Sequence, residues 1–456
     1  MSKPVAFRIR ENFNSKAPFY HKRKKMEPWQ KLCLQEYFAV EPNSIKKKFP
    51  GNSNDEHFCL KINNSVQPGE INFEIETSYF VGANWVLDNK FPILVEPKFN
   101  IESQEIELDY IKILFEALKN TSQTDYLSQL VFIDYNALPI VIDQKSDILT
   151  PLLVIQYLHV LKRIVKKGLR RSYYKISSNL TTKVKGKVLI AQTQKKNFGK
   201  GNLLKIFCSY EEFGVDYLEN KLLKKALNIG LQHMSLLNLV QSGLGELEDV
   251  INYVKVGFQG VNDDLEKDSI TAINSNPFYK DYEEALVLAD KILKRFGYNV
   301  SRSDSDEVMT PPFWIDMSKL FELFILEKLN LAFKGKNEVM YQEKVYGLYP
   351  DFLISTLDGK HKILIDAKYK GYSQKSPSID DIRQISGYAR LEGVYEKLGL
   401  HNKESKLDKV IECLIIYPDL LSGVKCFDED TFVNAKKVNG YYKISSLGIH
   451  IPFIKK

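Results

Sequence analysis

Two apolar, β-branched runs, Asp351–Leu357 and Lys362–Ile365, stand on either side of the dipeptide Asp358-Gly359. Asp-Gly is the preferred pair for a two-residue type I′ hairpin turn, so the spacing predicts an antiparallel hairpin in which Leu357 faces Lys360. Counting outward from that turn puts Asp351 opposite Asp366. Directly opposed Cβ atoms lie about 4.5–5.5 Å apart on one face, so the two carboxylates converge. Lys368, two residues beyond Asp366, points to the same face, while the pairs Phe352/Ile365 and Ile354/Ile363 go to the other and can build a core. Two like charges side by side repel strongly, and the arrangement makes physical sense if a divalent cation, Mg²⁺ (or Mn²⁺), sits between them.

A divalent ion held by carboxylates polarises a phosphodiester and lowers the pKa of a bound water, and a neighbouring lysine can position that water or stabilise charge on phosphorus. The competing reading is an ordinary amphipathic hairpin with a surface salt bridge. Asp-x-Lys alone does not decide between them, because in a chain with 27% charged residues it also occurs at Asp88/Lys90, Asp143/Lys145 and Asp358/Lys360. The flanking segments add weight. Upstream, Asp316–Phe333 has Met317, Leu320, Phe321, Phe324 and Leu331 at helical spacing, with Glu322 inside the run as a further metal ligand, a water holder or a solvated edge residue. Downstream, Ser378-Ile379-Asp380-Asp381 has the form of a capping box, and Gln384 and Tyr388 follow on one helical face, an amide and a phenol suited to DNA backbone.

Elsewhere the charge distribution is the main signal. No acidic residue lies between Asp147 and Glu211, a stretch that holds 14 Lys and Arg in a chain of net charge +7, so the remainder carries a net −7. Such a segment repels itself unless a polyanion or an acidic partner surface neutralises it; a merely solvated basic face is the alternative. No apolar run reaches the ~18–20 residues of a membrane span, and the basic start (Lys3, Arg8, Arg10, Lys22, Arg23, Lys24, Lys25) lacks a signal-peptide core, so a soluble, cytoplasmic protein with no membrane association is expected. Five cysteines without C-x-x-C spacing fit neither disulfides nor zinc and are expected as buried thiols.

Length predicts two or three domains. Residues 1–65 are polar and basic; Ile71–Phe99 reads as strands, with Asn72-Phe73-Glu74-Ile75-Glu76 alternating and Phe91–Val95 apolar. Helical spacing begins at Pro151 and ends near Gly168, with further helices at Tyr217–Leu236 and Tyr282–Arg295, and Ser301–Pro312 reads as a linker. The expected division is therefore a β-rich module over 1–150, a basic and mainly helical region over 151–300, and the hairpin-bearing domain over 301–456, an α+β multidomain chain.

Pro350-Asp351, Asp366-Ala367-Lys368, Glu322 and Gln384-x-x-x-Tyr388 together resemble the RecB-like branch of the PD-(D/E)xK nucleases. Further stretches narrow this to the McrC family, the nuclease subunits of McrBC-type modification-dependent restriction systems: Tyr79-Phe80-Val81-Gly82 through Val95-Glu96-Pro97-Lys98, Lys167–Tyr173, Lys185-Gly186-Lys187-Val188, Glu211-Glu212-Phe213 with Asn220, and Leu320-Phe321-Glu322. The likeness spans about residues 70–400. Where the family usually has arginines flanking the glycine, this chain has Lys185 and Lys187, which keep the charge but lose the bidentate fork.

The resemblance implies a C-terminal α/β nuclease domain with a central mixed sheet. It implies Asp351, Asp366, Lys368, Glu322, Gln384 and Tyr388 as catalytic positions, Asp351, Asp366 and Ala367 at the metal, and Arg170, Arg171, Lys185 and Lys187 in contact with nucleic acid or partner. It implies an endonuclease subunit that docks through its N-terminal half on an McrB-like AAA+ GTPase ring, stimulates it, and cuts modified double-stranded DNA. The chain has no G-x-x-x-x-G-K-[ST], so the motor is another polypeptide. Two other readings remain at this stage: a stand-alone metal-dependent repair or recombination nuclease, and a non-enzymatic adaptor, against which the facing carboxylates argue.

Overall fold

The computed structural model describes residues 6–11, 26–41, 44–50, 58–67, 70–99, 106–117, 130–143, 147–236, 245–264, 280–297, 307–333, 338–371, 377–400, 410–428, 431–432 and 435–455. Lys3, Lys22–Lys25 and positions 301–306 of the expected linker lie outside them. Among the described residues no helix is long and apolar enough to cross a membrane. The chain forms two compact units, residues 1–152 together with 301–456, and residues 153–300.

In chain order the first unit opens with β1 (Phe7–Arg10), α1 (Pro28–Val40), β2 (Ile45–Lys48), β3 (Phe58–Gln67), β4 (Glu70–Thr77), β5 (Phe80–Leu87), β6 (Phe91–Glu96), β7 (Ile106–Leu108), α2 (Tyr110–Ala117), β8 (Val131–Ile133) and β9 (Ile140–Asp143). The helix α3 (Leu149–Lys167) leads into the second unit, which holds β10 (Ser172–Leu180), β11 (Lys187–Val188), α4 (Ile190–Lys196), β12 (Ile206–Gly214), α5 (Leu218–Leu236), α6 (Gly245–Gly257) and α7 (Lys280–Gly297). The first unit resumes with β13 (Glu307–Thr310), β14 (Phe313–Asp316), α8 (Met317–Ala332), β15 (Val339–Tyr341), β16 (Phe352–Ser355), β17 (Lys362–Ala367), α9 (Ile379–Tyr388), α10 (Glu392–Lys397), β18 (Glu412–Asp419), β19 (Lys436–Lys437), β20 (Ile444–His450) and β21 (Phe453–Lys455).

Residues 1–150 and 301–456 were expected as separate domains, yet they share strands. β14 pairs antiparallel with β5 and β8 inside the five-stranded sheet β1-β6-β5-β14-β8, and β13 pairs with β9. β13 also occupies Glu307–Thr310 of the expected linker. A short polar run bounded by prolines carries no signal for a single edge pairing, which is why it reads as a connector. Residues 1–65 likewise contribute strands and the helix α1, whose Leu34 and Phe38 pack with Leu60, Ile62, Phe80 and Phe91.

Gly82 sits in the middle of β5 at φ +153°, and a Cβ there would stand 2.1 Å from the carbonyl oxygen of Phe313 on β14. Backbone conformation and contact both exclude a side chain. Gly82→Ala is therefore expected to lose on the order of 3 kcal/mol of stability. A melting temperature equal to that of the parent protein would show that the β5–β14 approach is not as close as described.

Beside its helices, the second unit has a sheet that the expectation did not include. Its basic stretch includes the three-stranded antiparallel sheet β10-β12-β11, and along β10 Tyr173, Lys175, Ser177 and Asn179 are exposed while the intervening residues are half-buried. Gly186, at φ +66°, crosses that sheet where a Cβ would meet the Ser209 carbonyl at 2.5 Å. Asn220 is fully buried, donating to the carbonyls of Arg170 (3.1 Å) and Val215 (2.7 Å) and accepting from the Tyr282 hydroxyl (2.9 Å). Among the cysteines, all free, Cys59, Cys208 and Cys413 are buried, whereas Cys33 is half-buried and Cys426 exposed.

Candidate active site

The six-stranded mixed sheet β15-β16-β17-β18-β20-β19 carries the site. β16 and β17 pair antiparallel in the expected register, Phe352 with Ile365 and Ile354 with Ile363. The turn differs from the expected two-residue one. Of Asp358 and Gly359 only Gly359 has positive φ (+70°), which rules out type I′. Instead Gly359 N–H donates to the Thr356 carbonyl (2.9 Å) and Thr356 N–H to the His361 carbonyl (3.0 Å), leaving a longer loop that closes on the same register. The Asp358 carboxylate is taken up locally, by the Thr356 hydroxyl (2.7 Å) and Lys360 N–H (3.1 Å). Both faces of the hairpin are buried: Leu353 and Leu364 pack against Ile382 and Ile385 of α9, and Phe352, Ile354 and Ile365 are inaccessible on the other side. That is the expected burial for strands inside a sheet with parallel neighbours, here β18 beside β17.

The carboxylates converge at the C-terminal end of β17. Asp351, immediately before β16, accepts from Ala367 N–H through Oδ2 (2.8 Å), and Asp366 is 1% exposed. Lys368 Nζ donates to Asp366 Oδ1 (3.1 Å) and to Gln384 Oε1 (2.8 Å). Gln384 in turn donates to the Tyr388 hydroxyl (3.1 Å), so the two residues expected on one face of α9 are joined to each other and to the lysine. Glu322 on α8 is held by the Tyr341 hydroxyl (3.1 Å), the Gln342 amide (2.9 Å) and Lys319 Nζ (3.6 Å). It is a fixed, largely buried acid, not a solvated edge residue.

Burial pushes Asp351 well above the usual carboxylate range, and the charges of Glu322 and Asp366 push it further. Burial also raises Asp366 and Glu322, opposed by Lys368 and Lys319 respectively. Burial alone would lower Lys368, but Asp366 and Asp351 outweigh it and hold the amine above its ordinary value. The cluster is thus a set of acids pressed together around one cation.

Three features were not legible beforehand. Tyr341 and Gln342 lie on or just past a short edge strand, and Gln342 has φ +47°, a conformation nothing in the sequence announces. Lys319, three residues before Glu322, has helical spacing as its only signal. Asp381 does more than the expected capping box. Ser378 caps α9 by accepting from Asp381 N–H (3.2 Å), while the Asp381 carboxylate turns inward to Lys370 Nζ (2.7 Å) and the Tyr417 hydroxyl (3.0 Å). Those bonds tie α9 to β18 beneath Gln384.

The donor set suits a hard cation: carboxylates of Asp351 and Asp366, with Glu322 beside Asp351, and the main-chain carbonyl as the only group Ala367 has to offer. Asp366 Oδ2 is buried and accepts no hydrogen bond although Lys368 Nζ stands 2.9 Å away. A buried carboxylate held by one lysine among mutually repelling acids fits a cation-binding position. Among the described residues no three His, Cys, Asp or Glu side chains are already grouped as a metal cage.

Of the four basic positions, all in the second unit, Arg170 is bound to Glu219 (3.1 Å) and Lys185 to Glu212 (2.6 Å), while Arg171 and Lys187 are exposed. Arg163 and Lys167 of the same stretch pair with Asp281. Part of the positive charge is thus neutralised within the unit.

Comparison with known proteins gives two kinds of finding. The family described as McrBC 5-methylcytosine restriction system component matches residues 75–397. Among solved structures, the chain is similar to one from the half-complex of the tetradecameric assembly of Thermococcus gammatolerans McrB AAA+ hexamers with bound McrC (16% identity, 85% of this chain and 80% of that one, TM-score 0.35). It is also similar to a chain of the cryo-EM structure of the Thermococcus gammatolerans McrBC complex (16% identity, 72% and 88%, TM-score 0.28). No curated protein matches the chain.

Proposed function

Because this chain belongs to the McrBC family of restriction-system components, we propose that it is the DNA-cleaving subunit of such a system, with a PD-(D/E)xK centre made of Asp351, Asp366 and Lys368. The observation that carries this reading is the convergence of Asp351, Asp366, Lys368 and Gln384, with Glu322 against Asp351, at the end of one strand pair. Bound Mg²⁺ or Mn²⁺ would supply the charge that polarises a phosphodiester and lowers the pKa of water. Asp351, Asp366 and the Ala367 carbonyl would hold that ion, with Glu322 as a further ligand or water holder.

The remaining roles belong to the chain. Lys368 is kept protonated by its carboxylate neighbours, so it donates hydrogen bonds and stabilises negative charge building on phosphate oxygens. Gln384 fixes the direction of that amine, and Tyr388 orients Gln384 in turn. Burial of Asp366 keeps bulk water from competing for that acid.

The substrate in this reading is modified double-stranded DNA, 5-methylcytosine being the modification the family description names. The partner is an McrB-like AAA+ GTPase ring, docked through residues 1–150, which the chain stimulates. Exposed Arg171 and Lys187 would meet DNA backbone or that ring, while Arg170 and Lys185 hold the local structure around them. The test is plasmid cleavage by the chain with its AAA+ partner in Mg²⁺, after chelation, and after Mg²⁺ is restored. Cutting should stop and return; cutting that survives chelation would remove the metal-nuclease reading.

A further inference from the structure

Past Lys368 the strand β17 leaves the sheet: Lys368 N–H makes the last ladder bond, to the Ile416 carbonyl (2.8 Å), and the chain then turns sharply as Lys370 N–H reaches back to the Lys368 carbonyl (2.7 Å). The peptide between them is held from elsewhere in the sequence. Lys98 Nζ donates to the Tyr369 carbonyl (2.6 Å) and lies 3.7 Å from the centre of the Tyr369 ring. The Tyr369 hydroxyl donates to Glu11 Oε1 (3.0 Å), and the same oxygen accepts Lys98 N–H (3.0 Å). Glu11 itself is fastened to the end of β6, its N–H donating to the Glu96 carbonyl (2.9 Å). Glu11 is 2% and Tyr369 7% exposed. The Tyr369 ring also meets Phe321, the neighbour of Glu322, at 5.9 Å between centroids.

A buried acid, a cation and a phenol from three distant segments thus meet at Tyr369, and the cation bonds its main-chain carbonyl next to the lysine of the candidate centre. Buried opposite charges near one another are weak evidence for stability, since well-packed apolar residues usually serve as well, so the bond from Lys98 to the Tyr369 carbonyl calls for another role. Burial pushes Glu11 up and Lys98 down, each held toward its charged form by the other. The amine replaces the ladder bond that β17 loses, and the aromatic contact ties the same peptide to α8.

We propose that Glu11, Lys98 and Tyr369 form a positioning cluster through which the sheet containing β1 and β6 sets the reach of Lys368 toward Asp366. None of the three touches the candidate substrate position, so they act through the backbone. The inference rests on the nuclease reading above, and a misplacement of about 1 Å at a reacting group can cost up to a hundredfold in rate.

The experiment uses the full chain with its AAA+ ring and supercoiled plasmid as probe. Lys98→Met leaves Glu11 without its cation and can simply unfold, so the deciding variant is the charge-neutral pair Glu11→Gln with Lys98→Met, which keeps volume and loses the bond to the Tyr369 carbonyl. We expect its maximal cleavage rate to fall about tenfold or more, with the plasmid concentration for half-maximal rate and the stimulation of nucleotide hydrolysis both unchanged within about twofold. Cleavage at the parent rate overturns the inference, as does a loss of ring stimulation in step with cleavage, which would make the cluster a general folding element. Asp366→Ala in the same assay separates the two ideas: if it too cuts normally, the nuclease reading is what fails; if it is inactive while the double variant cuts normally, only the positioning cluster fails.

Discussion

Asp366→Ala is expected to reduce Mg²⁺-dependent cleavage by at least about a thousandfold, the loss that follows when several kcal/mol of charge stabilisation are removed from a phosphodiester transition state. The same substitution is expected to leave folding and partner assembly intact. Burial raises Asp366, Asp351 and Glu322 above ordinary carboxylate values in the folded chain. An acid raised in the folded state binds more protons there than when unfolded. Its contribution to stability is complete below the unfolded pKa and is lost as pH rises through the folded one. Once these acids ionise in the folded chain, the cluster is therefore a stability cost that removing one carboxylate relieves, offset by the small cavity left and by Lys368 losing a partner. At pH 8 without divalent ions the variant should melt within a few degrees of the parent, and Mg²⁺ should raise the melting temperature of the parent but not of the variant. Cleavage within a few-fold of the parent rate would remove Asp366 from the site.

The hairpin register was legible because two constraints coincide on it: alternation of apolar residues, and an Asp-Gly pair between the runs. The turn was not, because Asp358 has a competing local use. Its carboxylate takes the Thr356 hydroxyl and Lys360 N–H, which favours a longer loop over the type I′ geometry. Pairing of Thr356 with His361 preserves the count across the loop, so Asp351 still arrives at Asp366. The positions of Gln384 and Tyr388 on one helical turn followed from spacing alone.

Long-range partners left no such trace. Lys98 belongs to a stretch that stood out in the sequence, yet its target is the carbonyl of Tyr369, 271 residues away. Glu11 follows β1, which pairs in parallel with β6 and whose four-residue alternation is too short to name that partner. In the second unit, β10 alternates polar with half-buried residues, so a run dense in lysine hid a strand. What the sequence missed is thus mainly pairing between segments far apart, where neither residue type nor spacing names the partner.

The chain alone is expected to cut DNA poorly and to gain on the order of a hundredfold only with its AAA+ ring and a nucleoside triphosphate, GTP by family resemblance, a switch that a few kcal/mol of differential stabilisation can supply. Such a low basal state would have a physical basis in the hydrogen bonds of the candidate site. Asp351 is occupied by Ala367 N–H, Glu322 by Tyr341 and Gln342, and Lys368 by Asp366 and Gln384. Rearranging those bonds would re-aim the acids, and each exchange costs free energy that docking can offset. In this reading the energy enters through the partner ring. The N-terminal sheet is in a position to receive it, because β5 pairs with β14 and Asp316 of β14 caps α8, the helix of Glu322, accepting from Lys319 N–H (2.9 Å). The deciding experiment mixes the purified chain, an McrB-like AAA+ protein, methylated and unmethylated plasmid, Mg²⁺, and GTP or ATP, and follows nucleotide hydrolysis and cutting together. Cutting should require all components and track hydrolysis. Vigorous cleavage by the chain alone, indifferent to nucleotide and to methylation, would instead mark a stand-alone nuclease.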